Sequence, residues 1–101
     1  MSQQPSTEIV SPGIDQIPIE GIRAIGRIFA EGEAKYGRDN WKNSPEGADN
    51  YERERLRHAI DHLYRWAHGD REEEHLPKVA WFCVTQIWRE SQRGMSPERT
   101  E

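Results

Sequence analysis

Residues 75–90, HLPKVAWFCVTQIWRE, are the most informative segment for the architecture, because their spacing predicts a helix that is apolar on nearly every face. Its apolar residues form one stripe, Pro77, Trp81, Val84 and Trp88, and also occupy other faces, Leu76, Val79, Phe82 and Cys83. Two antiparallel neighbours from the same chain cannot cover such a helix. We therefore expect a central helix in a bundle that a second copy of the chain completes, as a homodimer or homotetramer.

Two further helices are predicted upstream of this segment. From Ile19 onward, apolar residues recur with helical spacing up to Phe29, and glycines indicate an end between Gly32 and Gly37. The second helix is predicted to follow the capping pair Asp49-Asn50 and to close at His68-Gly69. Its apolar face, which we take as the direction of the core, carries Leu56, Ile60, Leu63 and Ala67.

The resulting prediction is an all-α protein with three main helices per chain. The helix of residues 75–90 is expected to end near Gly94, and no strand alternation or repeat competes with this interpretation. We expect a flexible or docking N-terminal arm at residues 1–18, a helical domain at 19–94 and a disordered tail at 95–101.

Composition restricts the classes of function. The chain has 101 residues, enough for one small domain, and one cysteine, Cys83, which has no partner for an internal disulfide. It has no apolar run of membrane-spanning length and no signal-peptide pattern, so we expect a cytoplasmic protein. The formal net charge of -4 argues against nucleic acid as a partner.

The face of the second helix opposite Leu56 carries a stripe of titratable residues, Glu54, His58, Asp61, His62 and Arg65. The ordinary interpretation is a solvated face with salt bridges such as Glu54 to His58 and Asp61 to Arg65. One alternative is zinc shared by His58 and His62, although a zinc site needs three or four ligands and the one cysteine is far along the sequence on the third helix. A harder cation held by Glu54, Asp61 and one carboxylate of the run Glu72–Glu74 is the other alternative.

A second chemical cluster is the segment EGEAKYGRDNW, residues 31–41. Helical geometry directs Glu33 into the bundle and Glu31 outward, so a partner or a metal is expected at Glu33. Lys35 has two interpretations: it stabilises the helix C-terminus, or it contacts a phosphate. Tyr36 and Trp41 either pack or stack on a base, and Asn40-Trp41 either anchors the loop or contributes to that stacking.

Taken together, these residues resemble a family. The pieces are Gly32-x-x-Lys35-Tyr36-Gly37-x-x-Asn40-Trp41, Arg57-His58, Trp66, Gly69-Asp70 and His75-Leu76. They resemble small phage proteins described as dATP/dGTP diphosphohydrolase N-terminal domains, which are similar in turn to all-α, MazG-like nucleoside triphosphate pyrophosphohydrolases. The family pattern has a second histidine and an asparagine on the third helix, near where this chain has Lys78 and Phe82. The related enzymes also carry paired ExxE and ExxD carboxylates, and this chain has no clean ExxD on the third helix.

The resemblance implies a Mg2+-dependent enzyme that cuts a (deoxy)nucleoside triphosphate between its α and β phosphates, releasing the monophosphate and pyrophosphate. Two alternatives stay open: a phage protein that binds a nucleotide or nucleotide-derived defence signal without turnover, and an acidic helical interaction module. For the enzyme, the candidate catalytic residues are Glu33, Glu54, His58 and Asp61. The candidate nucleotide-binding residues are Lys35, Tyr36, Asn40, Trp41, Arg57, His75 and Lys78. The candidate Mg2+ ligands are Glu33, Glu54, Asp61 and Glu73.

Overall fold

The protein is described by a computed structural model that covers residues 13–43 and 48–94. The three helices are α1, Ile19–Tyr36, α2, Ala48–Ala67, and α3, His75–Gln92, with short 3-10 turns at Ile14–Gln16 and Asn40–Lys42. No strand occurs in these two ranges, which confirms the predicted all-α class. The predicted tail and most of the predicted arm lie outside the described residues. No helix within the described ranges is long and apolar enough to cross a membrane.

Glycines end α1 and α2 where the sequence predicts. Gly37 has a φ of +97° and its N–H donates to the carbonyl of Glu33 at 2.9 Å, which closes α1. Gly69 has a φ of +96°, and the N–H of Asp70 donates to the carbonyl of Arg65 at 3.0 Å. This is the bond of a Schellman ending, in which only glycine adopts the required conformation without strain.

The start of α2 differs from the prediction. The helix begins at Ala48, so Asp49 and Asn50, predicted as caps, fall inside its first turn. The residue types therefore located the N-terminal region of α2 correctly but not its first residue.

Helix α3 is central in the described part of the chain. It packs against α1 and against α2, whereas no Cα atom of α1 lies within 8 Å of a Cα atom of α2. An aromatic cluster joins α1 to α3: Phe29 lies 5.5 Å from Trp41 and 6.3 Å from Trp81, and Trp41 lies 5.2 Å from Trp88, measured between ring centroids. The separation of α1 from α2 leaves a cleft whose floor is α3.

The direction assigned to the core face of α2 was wrong for the single chain. Leu56, Ile60 and Leu63 are 45%, 55% and 46% exposed, whereas Ala59 is buried. On the titratable side, His62 contacts His75 of α3 and Arg65 contacts Glu73 in the loop before it. The helical spacing therefore identified the apolar face of α2 correctly, but it did not identify which part of the molecule or of a second copy covers that face.

Candidate functional site

The cleft between α1 and α2 has a volume of about 570 Å³. Its walls are the C-terminal half of α1, the turn that follows it, and one side of α2, and its floor is α3. The lining residues are Ile28, Phe29, Glu31, Gly32, Glu33, Lys35, Tyr36, Gly37, Arg38, Asp39, Asn40, Trp41, Tyr51, Arg55, His58, Ala59, His62, Lys78, Trp81 and Phe82. The cleft is thus polar along its walls and aromatic toward α3.

The segment 31–41 forms one wall of this cleft. Glu31, assigned to an outer face, is exposed, and it borders the cleft together with Glu33. Glu33 is half exposed and lies 3.5 Å from the guanidinium of Arg38.

The structure distinguishes Trp41 from Tyr36. The ring of Trp41 packs edge-on against Phe29 and Trp88, and its carbonyl accepts a hydrogen bond of 2.9 Å from the guanidinium of Arg89. Trp41 therefore anchors the loop to α3. Tyr36 is 67% exposed at the edge of the cleft, where its ring is accessible to a ligand.

Four cations line the cleft, Lys35, Arg38, Arg55 and Lys78. Arg55 is the one that the sequence interpretation missed. Its Nε is buried and has no hydrogen-bond partner among the described residues, and its guanidinium lies 5.7 Å from the ring centroid of Tyr51. A buried N–H without a partner costs free energy unless a ligand or water satisfies it. Arg55 is therefore suited to accept an anion in the cleft.

Arg57, which the sequence interpretation preferred, does not line the cleft. Its side chain is 71% exposed and lies 3.4 Å from Glu54, one turn earlier on α2. One face of α2 carries residues at three- and four-residue spacing, Tyr51, Arg55, Ala59 and His62. This spacing is the signal in the sequence that would have identified Arg55.

A histidine pair lies beside the cleft. Nδ1 of His62 is 2.8 Å from Nδ1 of His75, whose side chain is fully buried at the start of α3. Because this is a hydrogen bond between two ring nitrogens, one of them carries a proton and the other accepts it. Nε2 of His75 is 3.2 Å from Oδ2 of Asp70, a contact too poorly aligned to count as a full hydrogen bond. His75 thus joins α2 to the loop that precedes α3 but does not line the cleft.

The charged neighbours of this pair are held by short contacts. Glu73 lies 2.7 Å from Nζ of Lys78 and 2.9 Å from the guanidinium of Arg65, so both of its carboxylate oxygens are engaged. The hydrogen bond from Lys78 lowers the pKa of Glu73, and the hydrogen bond from the backbone N–H of Glu72 lowers the pKa of Asp70. Both carboxylates are therefore ionised at neutral pH.

Burial lowers the pKa of His62 below its ordinary value of 6.5, which keeps this imidazole neutral at pH 7. The nearby Glu73 carboxylate opposes that shift, and Lys78 adds to it. A neutral imidazole beside ionised carboxylates retains a nitrogen lone pair for a proton or a metal.

The carboxylates predicted for Mg2+ do not come together. Glu33 pairs with Arg38, Glu54 with Arg57 and Asp61 with Arg65, the last at 3.2 Å as the sequence predicted. Within the described ranges, one group of at least three metal-ligating side chains has its ligand atoms within 4.8 Å of one another, His62, Glu73 and His75. Of the predicted Mg2+ ligands, Glu73 alone belongs to that group.

These features define an all-helical protein with a cleft of mixed charge between two helices and a histidine pair at its side. Residues 5–99 match the sequence model of the family described as dATP/dGTP diphosphohydrolase, N-terminal. The chain belongs to that family, as the motifs in residues 32–41 and around His58 and His75 indicated. No curated protein and no solved structure matches the chain.

Proposed function

We propose that the cleft binds a (deoxy)nucleoside triphosphate. The observation that carries this proposal is the set of four cations, Lys35, Arg38, Arg55 and Lys78, which face one cleft of about 570 Å³. Clefts of about 300–1,000 Å³ accommodate small-molecule ligands. Charge-assisted hydrogen bonds from ammonium and guanidinium groups are the strongest contacts that a protein offers to phosphate.

The arrangement suggests an orientation for the ligand. Arg55 and Lys78 lie on the α2 and α3 sides of the cleft, and Lys35 lies on the α1 side, so a polyphosphate bridging them neutralises cations from all three helices. Tyr36, exposed at the edge, is the aromatic surface on which a base stacks. His58 is exposed on the opposite wall and serves as the proton acceptor or donor toward the ligand.

For the reaction, we propose hydrolysis between the α and β phosphates to give the monophosphate and pyrophosphate. Membership of the family supports this activity. Glu33 lines the cleft and is the candidate for contact with a Mg2+ ion carried by the phosphates. Glu54 and Asp61 lie outside the cleft lining, and Glu73 reaches the cleft only through Lys78, so their participation requires rearrangement of their ion pairs.

The second candidate is a protein that binds a nucleotide, or a signal derived from one, without turnover. The observation that favours it is the pairing of Glu33, Glu54 and Asp61 with separate arginines, which leaves no assembled carboxylate cluster for Mg2+ in the described ranges. Both candidates use the same cleft and the same cations. They differ in whether the bound ligand is cut.

We also propose that the protein acts in the cytoplasm as a homodimer or homotetramer. Leu56, Ile60 and Leu63 of α2 and Val84 and Ile87 of α3 are each at least 45% exposed in the single chain. Apolar surface on this scale is favourable to bury, and a second copy supplies the same surface by symmetry.

Incubation with a panel of nucleotides and Mg2+, analysed for both retention and product mass, tests these proposals. Conversion of a triphosphate to monophosphate and pyrophosphate supports the enzyme, and retention without conversion supports the second candidate. Glu33→Gln should abolish conversion and leave much of the binding, because the amide keeps the size of the side chain and loses its charge. Neither retention nor conversion at millimolar nucleotide would contradict both candidates and leave an interaction module.

A further inference from the structure

We propose that His62, Glu73 and His75 form a binding site for a transition-metal dication, with Zn2+ as the preferred ion. One ligand atom from each residue lies within 4.8 Å of the others. Two imidazoles and one carboxylate form a three-ligand set that zinc uses with an open fourth position. Imidazole nitrogen favours zinc, cobalt and nickel over Mg2+, which prefers an all-oxygen shell. The site is therefore distinct from the Mg2+ contact proposed at Glu33.

The surroundings of His75 orient its ring for this role. The side chain is fully buried, with Nδ1 toward His62 and Nε2 3.2 Å from the carboxylate of Asp70. A carboxylate behind a ligating histidine fixes the tautomer of the ring and increases the basicity of the nitrogen that binds the metal. With the proton on Nε2, the lone pair of Nδ1 points to the shared position.

The fold holds Asp70 in place for this contact. The Schellman ending at Gly69 turns the chain so that Asp70 directly follows α2, and the N–H of Glu72 donates to its Oδ1 at 2.9 Å. Nε of Arg65 lies 3.4 Å from the other carboxylate oxygen. Asp70 is thus already placed beside His75, and metal binding need only align this contact into a hydrogen bond.

Metal binding replaces the proton now shared by the two rings. With Zn–N distances of about 2.0–2.1 Å and tetrahedral angles, two ligating nitrogens lie about 3.3–3.4 Å apart. The present separation is 2.8 Å, so the rings must part by roughly half an ångström. His62 is only half-buried and provides that movement, while its proton moves from Nδ1 to Nε2.

Glu73 must share one oxygen with the metal. Its present partners are Lys78 and Arg65. Displacement of Lys78 by the dication releases an ammonium group that already lines the cleft, and His62 lines the cleft as well. The metal therefore adjoins the proposed nucleotide site through two residues, although its binding does not require a nucleotide.

The test is a titration of the whole 101-residue chain, freed of metal by chelation, with Co2+ and Zn2+ in the absence of nucleotide. We expect one ion per chain and, for Co2+, the visible absorption of a four-coordinate site. His62→Gln and Glu73→Gln should each weaken binding by at least about tenfold, and Asp70→Asn by about 10–100-fold through its effect on His75. His68→Gln is the matched control, since His68 is an exposed histidine bonded to the carbonyl of Tyr64, and it should leave affinity unchanged.

Absence of stoichiometric binding to the wild type at micromolar metal would overturn the proposal. An equal loss in His68→Gln would overturn it too, because that result indicates nonspecific histidine binding. If a variant loses its helical circular dichroism and is therefore unfolded, imidazole 15N spectra of the wild type test the metal site instead. Zn2+ should shift the Nδ1 signals of His62 and His75, and unchanged signals reject the site. Since no nucleotide is present, failure here leaves the proposed function of the cleft unaffected.

Discussion

Arg55 and Arg57 show how two residues of the same type on one helix acquire different roles. Arg55 lines the cleft and has a buried Nε without a hydrogen-bond partner, whereas Arg57 is 71% exposed and paired with Glu54. Sequence reasoning preferred Arg57 because it precedes His58 in a recognisable pair. It could not place Arg55 in the cleft, because this requires knowing which face of α2 meets α3. From the sequence, the face of Leu56 was taken as that face.

This difference gives a prediction at the residue scale. Arg55→Ala should weaken binding of a deoxynucleoside triphosphate by about 1–3 kcal/mol, because a charge-assisted contact with phosphate is lost. Arg57→Ala should change it by less than about 0.5 kcal/mol, as is usual for an exposed surface position. Titration calorimetry on the two variants measures both values. The reverse order of effects would restore the sequence-based assignment of Arg57.

At the scale of elements, the C-terminal ends of α1 and α2 were predictable because they depend on local chemistry. Gly37 and Gly69 adopt positive φ values that glycine alone tolerates well, so the residue type indicated the stop. The contact between His62 and His75 was not predictable in the same way. The two residues are 13 positions apart on different helices, and their approach depends on how α2 packs on α3.

Two glycine substitutions test this dependence on local backbone conformation, and their expected effects on the free energy of unfolding have opposite signs. Gly69→Ala should lower the free energy of unfolding by about 1–2 kcal/mol, because its φ of +96° is strained for a residue with a Cβ. Gly26→Ala, within α1 and with open space around the added methyl, should raise it by about 0.5–1 kcal/mol. Urea unfolding followed by circular dichroism measures both. A stabilising Gly69→Ala would contradict the proposed ending of α2.

At the scale of the whole molecule, the all-round apolar character of residues 75–90 predicted the central position of α3 correctly. The apolar surface of α2 was also identified correctly, but its direction was not, because a single-chain sequence pattern does not say whether a helix or another copy covers that surface. Only Ala59 is buried among the apolar residues of the described ranges. A core this small makes burial of the exposed faces favourable.

Self-association follows as a prediction for the intact molecule. Light scattering should show a dimer or tetramer at micromolar concentration. Ile60→Glu, on the exposed apolar face of α2, should shift it to monomer because a charge is then buried without a partner. His68→Glu, at an exposed polar position, should leave the assembly intact. A monomeric wild type would contradict this prediction without affecting the cleft of the single chain.

We propose above all that the cleft between α1 and α2 binds the phosphates of a nucleotide. Calorimetric titration of the wild type with dGTP, dGDP and dGMP tests it most directly. Affinity should rise with phosphate number, and Lys35→Ala should weaken dGTP binding by about 5–150-fold, equivalent to about 1–3 kcal/mol. Arg23→Ala, which removes a charge from α1 outside the cleft, should have little effect. No binding by the wild type at millimolar dGTP, or equal affinity for all three nucleotides, would contradict the claim.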